Sequence, residues 1–331
     1  MKPLVVAEIS GNHNGSLERA LKIVEAAASA GAHAVKIQTY TADTMTLPGF
    51  KAQGSAWAGR DLHDLYREAH TPWEWHWAIF EHCRKYGMLG FSSPFDASAV
   101  DFLETLDVPF YKIASFELTD TPLIRKVAET GKPILMSTGM ATESEIEDAI
   151  QASKGCPHLT LLKCTSAYPA NASGCNLKTI ADMRERFGLD VGLSDHTPGT
   201  AVAVAAVALG ACVIEKHLTL SRADGGVDSG FSMEPDEFRR LVADVNAAYM
   251  AMGSVEYGPT AQERESLQFR RSLYVTKDMN VGDELTAENM RSLRPSANSG
   301  LSPKLFDELI GKRVFRKVKA GTPLTRELLR A

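Results

Sequence analysis

The sequence has no excess of basic residues, no closely spaced cysteine pair and no long apolar run. Its 331 residues include 36 Lys and Arg against 41 Asp and Glu, a formal net charge of −5. The sequence therefore lacks the excess of positive charge that is typical of nucleic-acid-binding proteins. No apolar stretch approaches the ~20 residues that cross a membrane. Five cysteines without CxxC spacing favour free thiols in a reducing cytoplasm over a disulfide framework. No signal peptide is predicted from Met1-Lys2-Pro3, so we expect a cytoplasmic protein.

Short apolar runs alternate with helical patterns along most of the chain, and each run ends in polar residues capable of chemistry. Strands that alternate with helices are typical of a (β/α)8 TIM barrel, an α/β fold whose active site lies at the carboxyl ends of its strands. We therefore predict this fold, with the polar clusters gathered at one mouth. The runs are Leu4–Ile9, Ala34–Thr39, Met88–Ser93, Phe110–Ser115, Pro133–Thr138, Leu159–Ser166, Val191–His196 and Cys212–Leu218.

The pattern changes after the last long helical segment. We predict a barrel domain over residues 1–255, a linker over 256–270 and a small domain of short β-like segments and turns over 271–331. A domain of that size has a small core and therefore marginal stability, so we expect it to pack against another protein surface.

Two histidines end neighbouring predicted strands. His196 closes the seventh run and His217 lies at the end of the eighth. Two imidazoles with open coordination positions suit a divalent ion that must also take water and substrate oxygens. The alternative is that each histidine is a hydrogen-bonded core residue.

Three lysines lie inside apolar strands, where an unpaired ammonium group is rarely tolerated. Lys36, Lys112 and Lys163 could converge on a phosphate or carboxylate, with serine hydroxyls as further donors. Two alternatives stay open: ion pairs inside the barrel with Glu8, Glu117 or Glu215, and a single Schiff-base lysine.

Loops at the predicted active-site face supply weaker signals. Asn14 lies in an Asn-Gly turn that follows the first strand, and Asp228 lies in a Gly-rich loop after the eighth. All four tryptophans fall between Tyr40 and Gly87, the longest connection, which we interpret as a lid or sugar-binding segment. Helix packing is the alternative for Trp75 and Trp77.

Taken together, the strand-end motifs resemble those of the sialic acid synthase family, which joins phosphoenolpyruvate to an amino sugar. The C-terminal segment Arg271–Leu328 looks like the antifreeze-like (SAF) β-clip domain of the same enzymes. The motifs are Ala7-Glu8-Ile9 with Asn12-His13-Asn14-Gly15, Val35-Lys36-Ile37-Gln38, Ser92-Ser93-Pro94-Phe95-Asp96, Tyr111-Lys112-Ile113-Ala114-Ser115-Phe116-Glu117, Ser137-Thr138-Gly139-Met140, Leu162-Lys163-Cys164-Thr165 with Tyr168-Pro169, Gly192-Leu193-Ser194-Asp195-His196-Thr197, and Glu215-Lys216-His217.

Details of the sequence look most like the pseudaminic acid synthase branch of that family. They are the segments from Thr71 to His76 and from Ser221 to Ser229, together with the Ser92–Asp96 motif. Sialic acid makers typically show Gly-Pro-Asp where this chain has Gly226-Val227-Asp228. The branch implies a 2,4-diacetamido-2,4,6-trideoxyhexose of altro configuration as the sugar and pseudaminic acid with phosphate as products.

The resemblance also implies a mechanism and a set of site residues. The sugar opens to its aldehyde, C3 of phosphoenolpyruvate attacks it, water adds at C2, and the tetrahedral intermediate loses phosphate. The implied cofactor is a divalent metal, Mn2+ or Mg2+, held by His196 and His217. Candidate bases for the water are Glu8, Glu117 and Asp228. The implied contacts are Lys36, Gln38, Ser93, Lys112 and Ser115 to phosphoenolpyruvate, and Asn14, Tyr168, Asp228 and Arg294 to the sugar.

The resemblance further implies a domain-swapped homodimer in which each small domain covers the partner's barrel mouth. Arg294 would then bind an N-acetyl carbonyl of the sugar in trans. Other functions stay open at this point: an N-acetylneuraminic or legionaminic acid synthase, a Schiff-base aldolase, or a non-catalytic binding protein.

Overall fold

The computed structural model describes residues 2–53 and 57–329. They form two compact units, Met1–Gly253 and Ser254–Ala331. Among these residues no helix combines the length and the apolar character needed to cross a bilayer.

The first unit is a closed barrel of parallel strands, so the predicted (β/α)8 fold is confirmed. Each strand pairs with the next in the sequence, and the eighth pairs with the first. The fourth strand is shorter than predicted because a 3-10 turn begins at Ser115. The strands are β1 (Leu4–Glu8), β2 (Ala34–Thr39), β3 (Leu89–Pro94), β4 (Tyr111–Ile113), β5 (Ile134–Ser137), β6 (Leu159–Cys164), β7 (Asp190–Asp195) and β8 (Val213–His217).

Helices alternate with these strands and present apolar faces to the barrel. The first helix shows why they form where they do: the Ser16 side chain accepts a hydrogen bond from the Arg19 N–H at its start, and Gly31 ends it with a positive φ of 86°. The helices are α1 (Leu17–Ala30), α2 (Ala42–Met45), α3 (Leu62–Ala69), α4 (His76–Lys85), α5 (Ala97–Glu104), α6 (Thr121–Ala128), α7 (Glu143–Ala152), α8 (Lys178–Phe187), α9 (Ala201–Ala208) and α10 (Pro235–Met252).

The barrel interior has an apolar layer below a charged one. Because alternate residues of a strand face the same side, the strand pattern sets both layers. Val6 shares its face with Glu8, Ala34 with Lys36, and Val213 with Glu215 and His217. The apolar layer is a buried cluster of Val6, Ala34, Phe91, Leu135, Leu162 and Val213. Charged side chains therefore collect at the carboxyl ends of the strands.

The second unit contains a small antiparallel sheet, as expected for the short β-like segments. Strand β9 (Ser272–Val275) pairs with β10 (Met290–Leu293), and a separate apolar core packs beneath them. Two 3-10 turns, Ala261–Glu263 and Glu265–Phe269, precede β9. A short helix, α11 (Phe306–Leu309), follows β10.

Candidate active site at the carboxyl ends of the strands

A cavity of about 390 Å³ opens at the carboxyl ends of the barrel strands. Its floor is charged and its walls are largely aromatic. The cavity brings together most of the residues predicted from the sequence: Lys36, Gln38, Lys112, Ser115, Glu117, Tyr168, His196, His217 and Asp228.

The floor is a network of buried ion pairs centred on Glu215. Its Oε1 lies 3.3 Å from Lys36 Nζ and 3.4 Å from Lys112 Nζ. Lys36 also pairs with Glu8 at 2.9 Å. The interior ion pairs considered from the sequence are therefore present, and they do not exclude an anion site because both lysines also line the cavity.

Burial and neighbouring charges act differently on the two floor carboxyls. Burial alone would raise the pKa of Glu215, but the Lys112 and Lys36 ammonium groups lower it to about 2. Burial raises the pKa of Glu8, even though Lys36 opposes the shift. Of these floor residues, two lysines and the ionised Glu215 line the cavity, so the floor suits an anion.

Two serine hydroxyls add hydrogen-bonding groups to the cavity that Lys112 lines. Ser115 and Ser137 line the cavity, and the buried Ser137 hydroxyl has no hydrogen-bond partner among the described residues. Ser115 Oγ accepts a hydrogen bond from the Gly139 N–H at 3.2 Å. A Cβ on residue 139 would overlap Ser166 Oγ and lie 2.7 Å from Ser115 Oγ, so only glycine lets this backbone approach the serines.

The two histidine rings lie next to each other, with centroids 5.4 Å apart. His196 Nδ1 lies 3.0 Å from the Thr165 carbonyl oxygen. This bond assigns the ring proton to Nδ1 and leaves Nε2 able to act as a ligand. His217 Nδ1 is buried and has no hydrogen-bond partner in the part of the chain that the structure describes.

The donor chemistry of this pair fits a divalent ion. Burial lowers the pKa of His217 well below its usual value, which favours the neutral ring that metal binding requires. Burial also acts to lower the pKa of His196, but its contact with Cys164 raises it overall. No group of three or more His, Cys, Asp or Glu suited to a metal occurs within the described ranges. A bound ion would therefore depend on these two imidazoles plus substrate or water.

Ser10 is a site residue that the sequence patterns missed. It has a positive φ of 50°, an uncommon conformation for a residue other than glycine. Its hydroxyl donates a short hydrogen bond to Asp228 Oδ2 and accepts one from Gln38 Nε2 at 3.2 Å. The Gly11 N–H also donates to Asp228, at 3.2 Å. Ser10 follows the first apolar run directly, and that position was the only signal available.

Aromatic residues form the cavity wall above the floor. Trp57 Nε1 donates to the Val227 carbonyl at 2.9 Å and joins the long β2–β3 connection to the loop after β8. The Trp57 and Tyr168 rings lie 5.5 Å apart, and Tyr168 lies 5.1 Å from Phe231. Part of the predicted sugar-binding segment therefore reaches the cavity, although residues 54–56 lie outside the described residues.

The other three tryptophans do not line the cavity. Trp73 stacks on Phe102 with centroids 4.7 Å apart, Trp75 contacts the His13 ring edge to face, and Trp77 is largely exposed. The packing alternative therefore describes Trp75.

Several other predicted residues lie outside the cavity lining. Glu8 is buried behind Lys36, and the buried Ser93 hydroxyl is 3.4 Å from Lys36 Nζ. Asn14 is exposed and donates to the Gly225 carbonyl at 3.1 Å. Lys163 donates to the Cys164 carbonyl at 2.7 Å and is not a lining residue. Arg294 belongs to the second unit, directly after β10.

Comparison with known proteins agrees with these observations. A pseudaminic acid synthase from Campylobacter jejuni is 45% identical, with 98% of this chain and 95% of the relative covered. The N,N'-diacetyllegionaminic acid synthase of the same species is 36% identical, with 96% and 97% covered. The crystal structure of an N-acetylneuraminic acid (sialic acid) synthetase from Leptospira borgpetersenii superposes with a TM-score of 0.72 at 31% identity, covering 81% of this chain and 90% of that one.

The chain also matches two family descriptions in the order predicted from its motifs. Residues 270–330 match the SAF domain, and residues 23–257 match the NeuB family. The resemblance to the sialic acid synthases, and to their pseudaminic branch in particular, is confirmed. The chain belongs to the NeuB family.

Proposed function

We propose that this enzyme condenses phosphoenolpyruvate with a 2,4-diacetamido-2,4,6-trideoxyhexose of altro configuration, giving pseudaminic acid and phosphate. The observation that carries the proposal is the 45% identity to a pseudaminic acid synthase over nearly the full length, against 36% to a legionaminic acid synthase of the same species. The cavity supports it, because a charged floor suits phosphoenolpyruvate and an aromatic wall suits the methyl groups of a deoxy, acetamido sugar.

The lysines of the floor hold the phosphate and carboxylate of phosphoenolpyruvate. Lys36 and Lys112 supply the charge, and Ser115 and Gln38 donate further hydrogen bonds. Ser93 supports Lys36 from behind. Charge-assisted bonds of this kind fix the anion so that its C3 faces the sugar aldehyde, and positioning supplies much of the rate enhancement.

The sugar lies above the anion, against Tyr168 and Asp228. Asn14 contributes indirectly, because its hydrogen bond to the Gly225 carbonyl holds the loop after β8 that carries Asp228. When bound by His196 and His217, a divalent ion such as Mn2+ or Mg2+ supplies Lewis-acid polarisation of the aldehyde. We assign Arg294 to the sugar of the partner subunit, in a domain-swapped homodimer.

Water then adds at C2, and a carboxylate near the cavity must accept its proton. Glu117 is the strongest of the three candidates because it lines the cavity and burial raises its pKa to about 7. A base whose pKa is near the working pH is present in its deprotonated form and still has a sufficient driving force to accept the proton. Glu8 and Asp228 are more deeply buried and already have hydrogen-bonded or charged partners.

A phosphate-release assay with phosphoenolpyruvate and three sugars tests the proposal. The altro-configured diacetamido sugar should turn over fastest, ahead of its manno-configured isomer and N-acetylmannosamine. Faster turnover of either alternative would reassign the chain to a legionaminic or neuraminic acid synthase. A borohydride-trapped adduct on Lys112 or Lys163 would favour a Schiff-base aldolase. Phosphate release with none of the sugars would favour a binding protein.

The cysteines bear on the cellular compartment in which the enzyme works. All five cysteines are free thiols, and free thiols persist where glutathione and thioredoxin keep them reduced. We infer a cytoplasmic location, where phosphoenolpyruvate is available.

A further inference from the structure

A buried ion pair lies directly behind the two histidines, on the side of the strands that faces away from the cavity. Lys216 Nζ is 2.6 Å from Asp195 Oδ2, and both side chains are at most 2% exposed. The two residues are register partners on β7 and β8. Lys216 precedes His217 within β8, so strand alternation turns its charge away from that imidazole. Asp195 is the last residue of β7, and His196 follows it directly.

The pair closes a turn around His196. Asp195 Oδ1 accepts hydrogen bonds from the Thr197 N–H at 2.9 Å and from the Thr197 hydroxyl at 2.7 Å. Lys216 Nζ donates a short hydrogen bond to the Thr197 carbonyl. His196 therefore lies between Asp195 and Thr197, and both of these residues contact the Lys216 ammonium group on the adjacent strand.

Backbone hydrogen bonds also hold the two histidines. The His196 carbonyl accepts a hydrogen bond from the Ala170 N–H at 3.0 Å, and the His217 carbonyl accepts one from the Met233 N–H at 2.9 Å. Neither Asp195 nor Lys216 lines the cavity. Buried ion pairs are often no more stabilising than apolar residues of the same volume, so general stability is a weak reason for this one.

We propose that the Asp195–Lys216 pair is a positioning device that holds the His196 and His217 imidazoles at the separation needed to bind one divalent ion. The inference rests on the proposed function, in which those imidazoles are the ligands. Residues that orient metal ligands without touching the metal change affinity by roughly 10- to 100-fold when altered, and we expect an effect of that size.

The test measures Mn2+ affinity by electron paramagnetic resonance, on chelator-stripped protein without substrates. Asp195→Asn and Lys216→Met should each raise the Kd for Mn2+ by roughly tenfold or more. They should also lower the Tm in chelator, because one buried charge loses its partner. The double variant should regain most of the Tm, since no unpaired charge remains, but should still bind Mn2+ weakly. Thr197→Val, which removes one hydrogen bond and unpairs no charge, should weaken binding by a smaller factor.

Controls separate positioning from stability and from the metal assignment itself. Leu103→Ala, on the buried face of α5, provides a loss of Tm at a site outside β7 and β8. It should leave Mn2+ affinity unchanged. Wild-type affinity in the folded single variants or in Thr197→Val would overturn the inference, as would a double variant that regains both Tm and Mn2+ affinity. If His217→Ala also bound Mn2+ as wild type does, the metal assignment in the proposed function would be wrong as well.

Discussion

At the scale of single residues, burial decides what each ionisable group of the cavity can do. Glu117, Lys112 and His217 all have pKa values shifted toward the neutral form, and burial is the largest cause for each. Glu215 has the opposite shift because two ammonium groups outweigh burial. One cavity therefore holds a fixed anion, a candidate base and an imidazole whose lowered pKa suits the proposed metal ligand.

The raised pKa of Glu117 predicts the shape of the pH–rate profile. A carboxyl with a pKa of about 7 is protonated below that pH and can accept a proton only above it. We therefore expect kcat/KM to fall as pH drops through about 7. Glu117→Gln should be slower and should lack this acidic limb. An unchanged limb in the variant would assign the base to another group.

Lys112 is expected to carry much of the affinity for phosphoenolpyruvate. Charge-assisted hydrogen bonds contribute about 1.5–3 kcal/mol, so Lys112→Ala should lower kcat/KM for phosphoenolpyruvate by roughly 10- to 150-fold, mainly through KM. Lys163→Ala is the matched control, because Lys163 is also a strand lysine but does not line the cavity. Equal effects of the two changes would contradict the assignment.

The histidine pair predicts dependence on a divalent ion. Chelation should abolish activity and Mn2+ should restore it, whereas His217→Ala should stay inactive at any Mn2+ concentration that rescues the wild type. His158→Ala, at a partly exposed surface pair with Asp190, should behave as wild type. Full turnover in chelator would refute the metal requirement.

At the scale of secondary-structure elements, strand alternation explains which parts of the site could be predicted. Lys36, Lys112 and Glu215 share the inward face with apolar residues two positions earlier, and His217 continues the face of Val213 and Glu215. That alternation can be recognised in the sequence. Ser10 was missed because its role depends on a backbone conformation and on Asp228, which lies far along the chain. The aromatic wall was only partly predicted, since the spacing of the tryptophans does not distinguish Trp57 from the three outside the cavity.

The loop after β5 provides a test at this scale. A methyl group on Gly139 would displace the Ser115 hydroxyl, so Gly139→Ala should raise KM for phosphoenolpyruvate while leaving the protein folded. Gly174→Ala is a suitable control, because a Cβ there meets no atom within 4 Å. Thermal denaturation and steady-state kinetics measured together would distinguish a local effect from unfolding. Unchanged KM in Gly139→Ala would show that this close approach does not shape the anion site.

At the scale of the whole molecule, the two compact units raise the question of how the site is completed. The second unit has its own small core. The predicted linker of about 15 residues contains two 3-10 turns, and fully extended it would span tens of ångströms at ~3.3–3.6 Å per residue. Such reach permits the second unit of one chain to serve the barrel of another. The sequence predicted the two kinds of unit from their different patterns, but an arrangement between chains depends on surfaces that a periodicity does not describe.

The proposed exchange of domains is tested with two inactive variants. His217→Ala removes a residue of the barrel, and Arg294→Ala removes the guanidinium that we assign to the partner's sugar. If Arg294 acts in trans, unfolding and re-dimerising a mixture builds one intact site per heterodimer, because one chain keeps its barrel and the other keeps its arginine. Activity should then return to about one quarter of wild type per mole of chain: random pairing makes about half of the dimers mixed, and each has one of two sites intact.

Each variant refolded alone is the control and should stay inactive. If Arg294 acts in cis, every intact barrel meets a mutant second unit and no activity returns. Undiminished activity in Arg294→Ala alone would remove this residue from the site.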